Sequence, residues 1–292
     1  MLKHTYKQPK TPQRVVILGA GGFISSAVQR KLESYTLPIL PLFRQKLDLT
    51  MSESVDELVE LLKPDDTLLF VAAKAPVKTE EMLINNLKMA EVVCAVLRRV
   101  NVNHVVYISS DAVYADNDQP LTEESSAQPG SLHGIMHLAR EVMLVNAYQG
   151  RLCLLRPTLV YGKDDPHNGY GPNRFLRQAH KDEDIILFGK GEEQRDHVWV
   201  EDLAEIISKV IFHCSDGKLN VATGEVNSFQ EIAEMAVQAT GGNVKIKSVP
   251  RSGPMPHRGY RPFDINAVNN AFPEFRFSSL KNYFRINSDI NW

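Results

Sequence analysis

The chain predicts an α/β fold: a doubly wound parallel sheet followed by a smaller C-terminal lobe. Two observations carry this expectation. Up to Gly162, short apolar runs alternate with segments of helical periodicity. Unbroken apolar strands between helices belong to a parallel sheet covered on both faces. After Gly162 the pattern changes. "KDDPHNGYGPN" (163–173) is rich in Gly, Pro and polar residues, and short strands and helices are mixed beyond it.

Residues 1–13 are polar, carry two prolines and are expected to lie loosely on the surface. "RVVILGAGG" reads as a buried strand that ends in glycines, and "FISSAVQRKLESY" as a helix with Phe23, Ala27 and Leu32 on one face. "LPILPLF" is the next strand. "SVDELVELLKP" is a helix capped by Ser52 or Ser54 and stopped by Pro64. "DTLLFVAA", "EMLINNLKMAEVVCAVLRRV", "HVVYISS", "HGIMHLAREVMLVNAY" and "RLCLLRPTLVYG" continue the alternation as strand, helix, strand, helix and strand. A second loop, "RSGPMPHRGYRP" (251–262), interrupts the C-terminal lobe. The expected division is 12–165 plus 198–222 for the sheet domain, and 166–197 plus 223–292 for the lobe.

Composition narrows the function. Of 292 residues, 43% are apolar and 23% charged, with 33 Lys and Arg against 35 acidic residues. That balance argues against nucleic acid bound through a broad basic face. The N-terminus is basic but has no apolar stretch of the secretory kind, and no run is long enough to span a membrane. A cytoplasmic protein is the expectation. Cys94, Cys153 and Cys214 are far apart in apolar segments, as buried free thiols in a reducing compartment would be.

"LGAGGFIS" sets Gly19 and Gly22 between a strand and a helix. Glycine permits the tight turn and lets the backbone approach a pyrophosphate seated on the helix N-terminus. This context makes the sheet Rossmann-like, with a dinucleotide as its ligand. The third small position is Ser25 rather than Gly. The end of the second strand often carries an acid for the ribose hydroxyls. Here it reads Phe43, Arg44, Gln45, Lys46. Arg44 would pair with a 2′-phosphate that a carboxylate would repel, so NADP is favoured over NAD.

Eight strings in order resemble the extended short-chain dehydrogenase/reductase family, the NAD-dependent epimerase/dehydratase group that acts on nucleotide sugars. They are "LGAGGFISS", "LDLT", "LLFVAAKAPV", "NNLKMAEVV", "YISSDAVYA", "LLRPTLVYG", "GEEQRDHVWVEDLAEII" and "LNVATGEVNSFQEIAEM", across roughly residues 15–240. The resemblance implies a nucleotide-sugar substrate. It also implies cofactor contacts from Phe23, Ile24, Asp48, Leu49, Ala72, Ala73, Lys74, Asn86 and Pro157. Its Ser/Thr position falls on Ser110. In the dehydratase branch Asp111 would be an acid, but the Glu that follows it there is Ala112. The family's Tyr-x-x-x-Lys pair falls on His133 and His137, and its substrate Asn on Leu159.

A phenol needs a neighbouring cation to bring its pKa down from about 10, whereas histidine starts near 6.5. Positions i and i+4 share a helix face, with Cβ atoms about 5–6 Å apart. Three readings stay open: a redox enzyme with His133 as acid/base and His137 either orienting it or contacting the nicotinamide ribose; a cofactor- or nucleotide-binding protein without redox activity; and a metal site needing a third ligand among Asp111, Asp116 and His167. On the substrate side the resemblance puts Arg195 on a diphosphate, which a guanidinium fork suits. Arg174, Phe188 and Arg258 or Arg261 are further candidates. Val92, Val93, Val96, Leu138, Val142 and Val145 exceed what one sheet face needs, so a homodimer through these two helices is expected.

Overall fold

The computed structural model describes residues 2–241 and 243–288; position 242 and the last four residues of the expected lobe lie outside it. In chain order the elements are β1 (Lys3–His4), β2 (Arg14–Leu18), α1 (Phe23–Glu33), β3 (Ile39–Leu42), α2 (Ser54–Leu61), β4 (Asp66–Phe70), α3 (Glu80–Leu97), β5 (His104–Ile108), α4 (Leu132–Ala147), β6 (Arg151–Pro157) and β7 (Leu159–Tyr161). They continue with α5 (Pro172–His180), β8 (Ile185–Phe188), β9 (Gln194–Trp199), α6 (Val200–His213), β10 (Ser215–Val221), β11 (Val226–Ser228), α7 (Phe229–Ala239), β12 (Ile246–Val249), β13 (Tyr260–Arg261), α8 (Asn266–Ala271) and α9 (Leu280–Ile286).

The main sheet has the order β1-β10-β6-β5-β4-β2-β3, parallel except for β1. Its strands alternate between two cores. Val15 and Ile17 of β2 face α1 and α6, while Val16 and Leu18 pack with α2, α3 and α4. Both faces are covered, which is why the strands read as unbroken apolar runs. The chain reverses direction across the sheet after β3, and the switch leaves a crevice at the strands' C-terminal ends. Over that edge lie β9 with β7, β11 and β13, and the pair β8-β12. A separate aromatic core holds this lobe, with Phe175, Phe229, Tyr283 and Phe284 buried in it.

Four expectations are corrected. The N-terminal segment is not loose: β1 pairs antiparallel with β10, and His4 bonds Ser215 Oγ (2.8 Å) and the Ala271 carbonyl (3.0 Å). It closes an otherwise unpaired sheet edge. Neither Ser52 nor Ser54 caps α2. Glu53 is at that position without a side-chain cap, and Ser54 Oγ donates to the Asp48 carbonyl instead. The apolar run 151–162 is two strands: the Thr158 N–H still donates to the Val221 carbonyl of β10 while its Oγ1 donates to Asp196, and from Leu159 onward β7 pairs with β9. Finally, Val92, Val93 and Val96 are buried in the core under the sheet and offer nothing to a partner. All three cysteines are free and buried.

Candidate active site

A cleft of about 820 Å³ runs along the strand ends. Its first wall is the turn after β2. Gly19 has φ +92, and a Cβ there would lie 2.6 Å from the Ala72 backbone, so only glycine fits between β2 and the end of β4. Gly19 and Ala20 N–H groups donate to the Leu42 carbonyl, and Ser25 Oγ receives the Gly22 N–H and donates to the Gly19 carbonyl. Ser25 is fully buried and locks the turn as a packing residue. The first turn of α1 leaves the N–H groups of Phe23 and Ile24 without intrahelical partners, facing the cleft they line. This cradle fits a pyrophosphate.

The second wall carries Arg44, Asp48 and Leu49 at the end of β3, and Ala72, Ala73 and Lys74 after β4. Arg44 Nε is 3.1 Å from Asp48 Oδ2, and its side chain is 62% exposed. The Thr50 hydroxyl and N–H both donate to Asp48 Oδ1; those bonds, with Arg44 as a smaller contributor, hold the carboxyl below its usual range. Asn86 does not reach the cleft. It is fully buried, bonds both the N–H and the carbonyl of Lys74, and shapes that segment from behind.

Ser110, Asp111, His133, His137 and Pro157 line the middle of the cleft. The rings of His133 and His137 meet at 90° with centroids 4.7 Å apart. His133 Nδ1 accepts the Val77 N–H at 3.4 Å, so a neutral ring carries its proton on Nε2. His137 is buried, and its Nδ1 lies 2.8 Å from the Tyr107 hydroxyl. Burial pushes that phenol up to about 12, so it stays protonated and the bond joins a neutral hydroxyl to the ring nitrogen. Burial lowers both histidines. Asp111 partly opposes this at His133, whereas His133 and Arg140 reinforce it at His137. Arg140, one helical turn on, is buried without a carboxylate; it donates to the Ala72 and Asn86 carbonyls and stands 4.9 Å over the Phe70 ring. Ser110 caps the following turn, and Asp111 Oδ2 takes Arg261 Nε at 3.0 Å.

On the far side, Arg195 lines the cleft and is 3.3 Å from Glu193, which Arg251 also meets at 3.3 Å. Arg258 does not join it: its side chain is 73% exposed and 3.5 Å from Asp118. Arg174 and Phe188 do not line the cleft either. Phe188 packs 5.0 Å from the Tyr170 ring. The three carboxylate and imidazole groups considered for a metal are not gathered; among the described residues no cluster of three His, Cys, Asp or Glu is placed to hold one.

The pattern of the NAD dependent epimerase/dehydratase family matches residues 15–222. The chain belongs to this family. Among its relatives is a UDP-N-acetyl-alpha-D-glucosaminuronate decarboxylase of Bacillus cytotoxicus, 26% identical over 64% of this chain and 60% of that protein's length. A GDP-L-fucose synthase of Sinorhizobium fredii is 24% identical over 78% of this chain and 80% of its own. Among solved structures, a UDP-glucose 4-epimerase of Thermus thermophilus in complex with NAD aligns with TM-score 0.82 at 22% identity, covering 94% of this chain and 98% of that one. A GDP-L-fucose synthetase of Naegleria fowleri bound to NADP aligns at 0.81 and 16% identity, covering 97% and 94%. The last two likenesses are of fold.

For this epimerase/dehydratase family member, motif reading reached the glycine turn, the histidine pair and Arg195. It missed Tyr107, Arg140 and His257, and it gave Arg261 to the substrate rather than to Asp111. Tyr107 and Arg140 were concealed as ordinary strand and helix positions. His257 lines the cleft beside Arg195, one residue from the Arg258 that was expected there.

Proposed function

We propose that this protein binds NADP(H), or NAD(H) less well, with a nucleoside-diphosphate sugar, and reduces a keto group of that sugar with His133 as the proton donor. The observation that carries the reading is a single cleft that joins the Gly19–Gly22 cradle, the Ser110–His133 pair and Arg195. The nicotinamide would supply the hydride. The protein's own part is then to bind and to move a proton. The cradle would hold the pyrophosphate, and Arg44 would meet a 2′-phosphate, because Asp48 is already engaged by Thr50 and Arg44 keeps its outer nitrogens exposed. His137, held at Nδ1 by the Tyr107 hydroxyl, would face the cofactor. His133 Nε2 and Ser110 Oγ would approach the reacting oxygen. Relatives named for UDP- and GDP-sugars, and like folds carrying NAD and NADP, support this reading. Buried free thiols fit a cytoplasmic setting.

A proton donor must be the imidazolium, and burial disfavours it at His133. The rate kcat/KM, which reports the free protein, is therefore expected to rise as pH falls through a value below 6.5. The test is loss of NADPH on mixing with 4-keto sugars of UDP, GDP and dTDP. His133→Phe should cut the rate by roughly 100-fold or more while NADPH still binds. Equal turnover in the variant removes His133 from the chemistry. A second reading, binding without redox activity, draws on the neutral, phenol-tethered His137; it takes over if no keto sugar is reduced although cofactor and nucleotide bind.

We also propose a homodimer through α3 and α4. Ile135, Val142 and Val145 make a stripe on α4 that is 42%, 54% and 51% exposed, with Ile84 of α3 53% exposed. Sedimentation of twice the chain mass is the expected result, and a monomer that persists at high concentration would refute it.

A further inference from the structure

His257 lies in the 3₁₀ turn Pro256–Gly259 and lines the cleft with Arg195, Asp111 and His133. It and Arg258 both adopt left-handed backbone, φ 50 and φ 54, a region that L residues other than glycine seldom enter. The conformation separates the two side chains. Arg258 turns outward to Asp118, and His257 turns to the cleft.

The ring is held at one end only. His257 Nδ1 lies 2.5 Å from Asp116 Oδ1, and an ionised carboxylate can only accept, so Nδ1–H donates to it. Arg261 Nη1 holds Asp116 in place, donating to its Oδ1 at 3.2 Å; its approach to the same ring nitrogen, 2.9 Å, is a contact between two N–H groups and not a bond. Nε2 has no hydrogen-bond partner among the described residues. The charges around the ring come from four segments: Asp111; Asp116 and Asp118; Arg195 with Glu193 behind it; and Arg261 with the neighbouring Arg258. Burial, Arg195 and Arg261 disfavour the imidazolium, and Asp116 and Asp111 favour it.

We propose that His257 is a substrate-binding residue that takes a proton from solvent at Nε2 when a diphosphate settles against Arg195, and donates it to a phosphate oxygen. The argument rests on the nucleoside-diphosphate reading above. A bound anion cancels the repulsion from Arg195 and adds attraction of its own, so the empty cleft keeps a neutral ring and the filled cleft a charged one. Asp116 and Arg261 act as positioning residues, through the ring. The Nε2–H bond formed on uptake from solvent breaks again, returning the proton to solvent, when the ligand leaves; no bond of the ligand changes.

The experiment is calorimetric titration of the full chain with UDP-glucose, GDP-mannose and dTDP-glucose, in buffers of differing ionisation heat. The diphosphate of a nucleotide sugar is a diester with no group titrating near neutrality, so any proton uptake belongs to the protein. The expected result near pH 7 is uptake approaching one proton for the nucleotide that binds. Affinity should weaken up to about tenfold per pH unit on the alkaline side, the limit for one linked proton. His257→Gln should still bind, without the uptake and with a flat pH profile, whereas His133→Phe should keep both. Binding with no proton uptake, or uptake that survives in His257→Gln, overturns the proposal and leaves the nucleotide-sugar reading standing. If none of the three ligands gives heat near pH 6 or pH 7, that reading fails and this inference falls with it.

Discussion

His104 begins β5 fully buried, with Nε2 2.7 Å from the Ser215 carbonyl and Nδ1 without a partner among the described residues. Burial, only partly offset by that backbone bond, lowers it to about 4. Above pH 6.5 the residue is neutral in folded and unfolded chains alike. As pH falls below 6.5 the unfolded chain takes a proton that the folded chain refuses, so stability is lost down to about pH 4 and no further there. The loss is on the order of 3 kcal/mol. Urea midpoints from about pH 7 to about pH 4 should fall more steeply in the parent than in His104→Gln, and parallel slopes would contradict this. Residue-scale legibility followed the same physics. Gly19 and Gly22 could be read because a turn between strand and helix leaves few alternatives. His257 could not, because nothing in "PMPHRGY" signals a left-handed histidine. The engagement of Asp111 by Arg261, 150 positions away, is set by the fold alone.

At the scale of elements, α4 is tied to β6 by the pair Glu141–Arg156, Nη2 to Oε2 at 2.5 Å, with Ser109 donating to Glu141 at 2.6 Å and the Tyr114 hydroxyl 2.9 Å from Arg156. Both charges are almost wholly buried. Removing one charge strands the other, so Glu141→Gln should cost about 3–5 kcal/mol of unfolding free energy. It should also loosen the helix that presents His133 and His137. A denaturation midpoint equal to the parent's would show that the pair holds nothing. The strings around Glu141 and Arg156 could be placed on a helix and a strand from sequence, but their contact could not. The strand break was also hidden: Pro157 is a signal that can equally end a strand or sit at its edge, and the bond from Thr158 Oγ1 to Asp196 is visible only in the fold. Likewise β1 is too short and polar to announce itself; it is a strand because β10 offers it an edge.

For the whole molecule, alternation of strand and helix, together with the change of pattern after Gly162, was enough to reach the doubly wound sheet and the lobe over its C-terminal ends. Those features repeat over many residues, so single errors cancel. The contents of the crevice depend on a few side chains brought from distant segments, and there the sequence reading was partial. It placed Arg195 on the cleft, but Arg174 and Phe188 do not line it, and Phe188 and Arg258 are exposed. On the proposed function, one cleft takes a dinucleotide at the glycine turn and a nucleotide sugar at Arg195. The most direct measurement is calorimetry of the parent and of Arg195→Ala, first with NADPH and then, on the NADPH complex, with UDP-, GDP- and dTDP-sugars. The account predicts saturable NADPH binding in both proteins, tighter than NADH, and binding of one of the three nucleotide sugars to the parent only. No heat with NADPH or NADH, or nucleotide-sugar binding that is undiminished in Arg195→Ala, would contradict it.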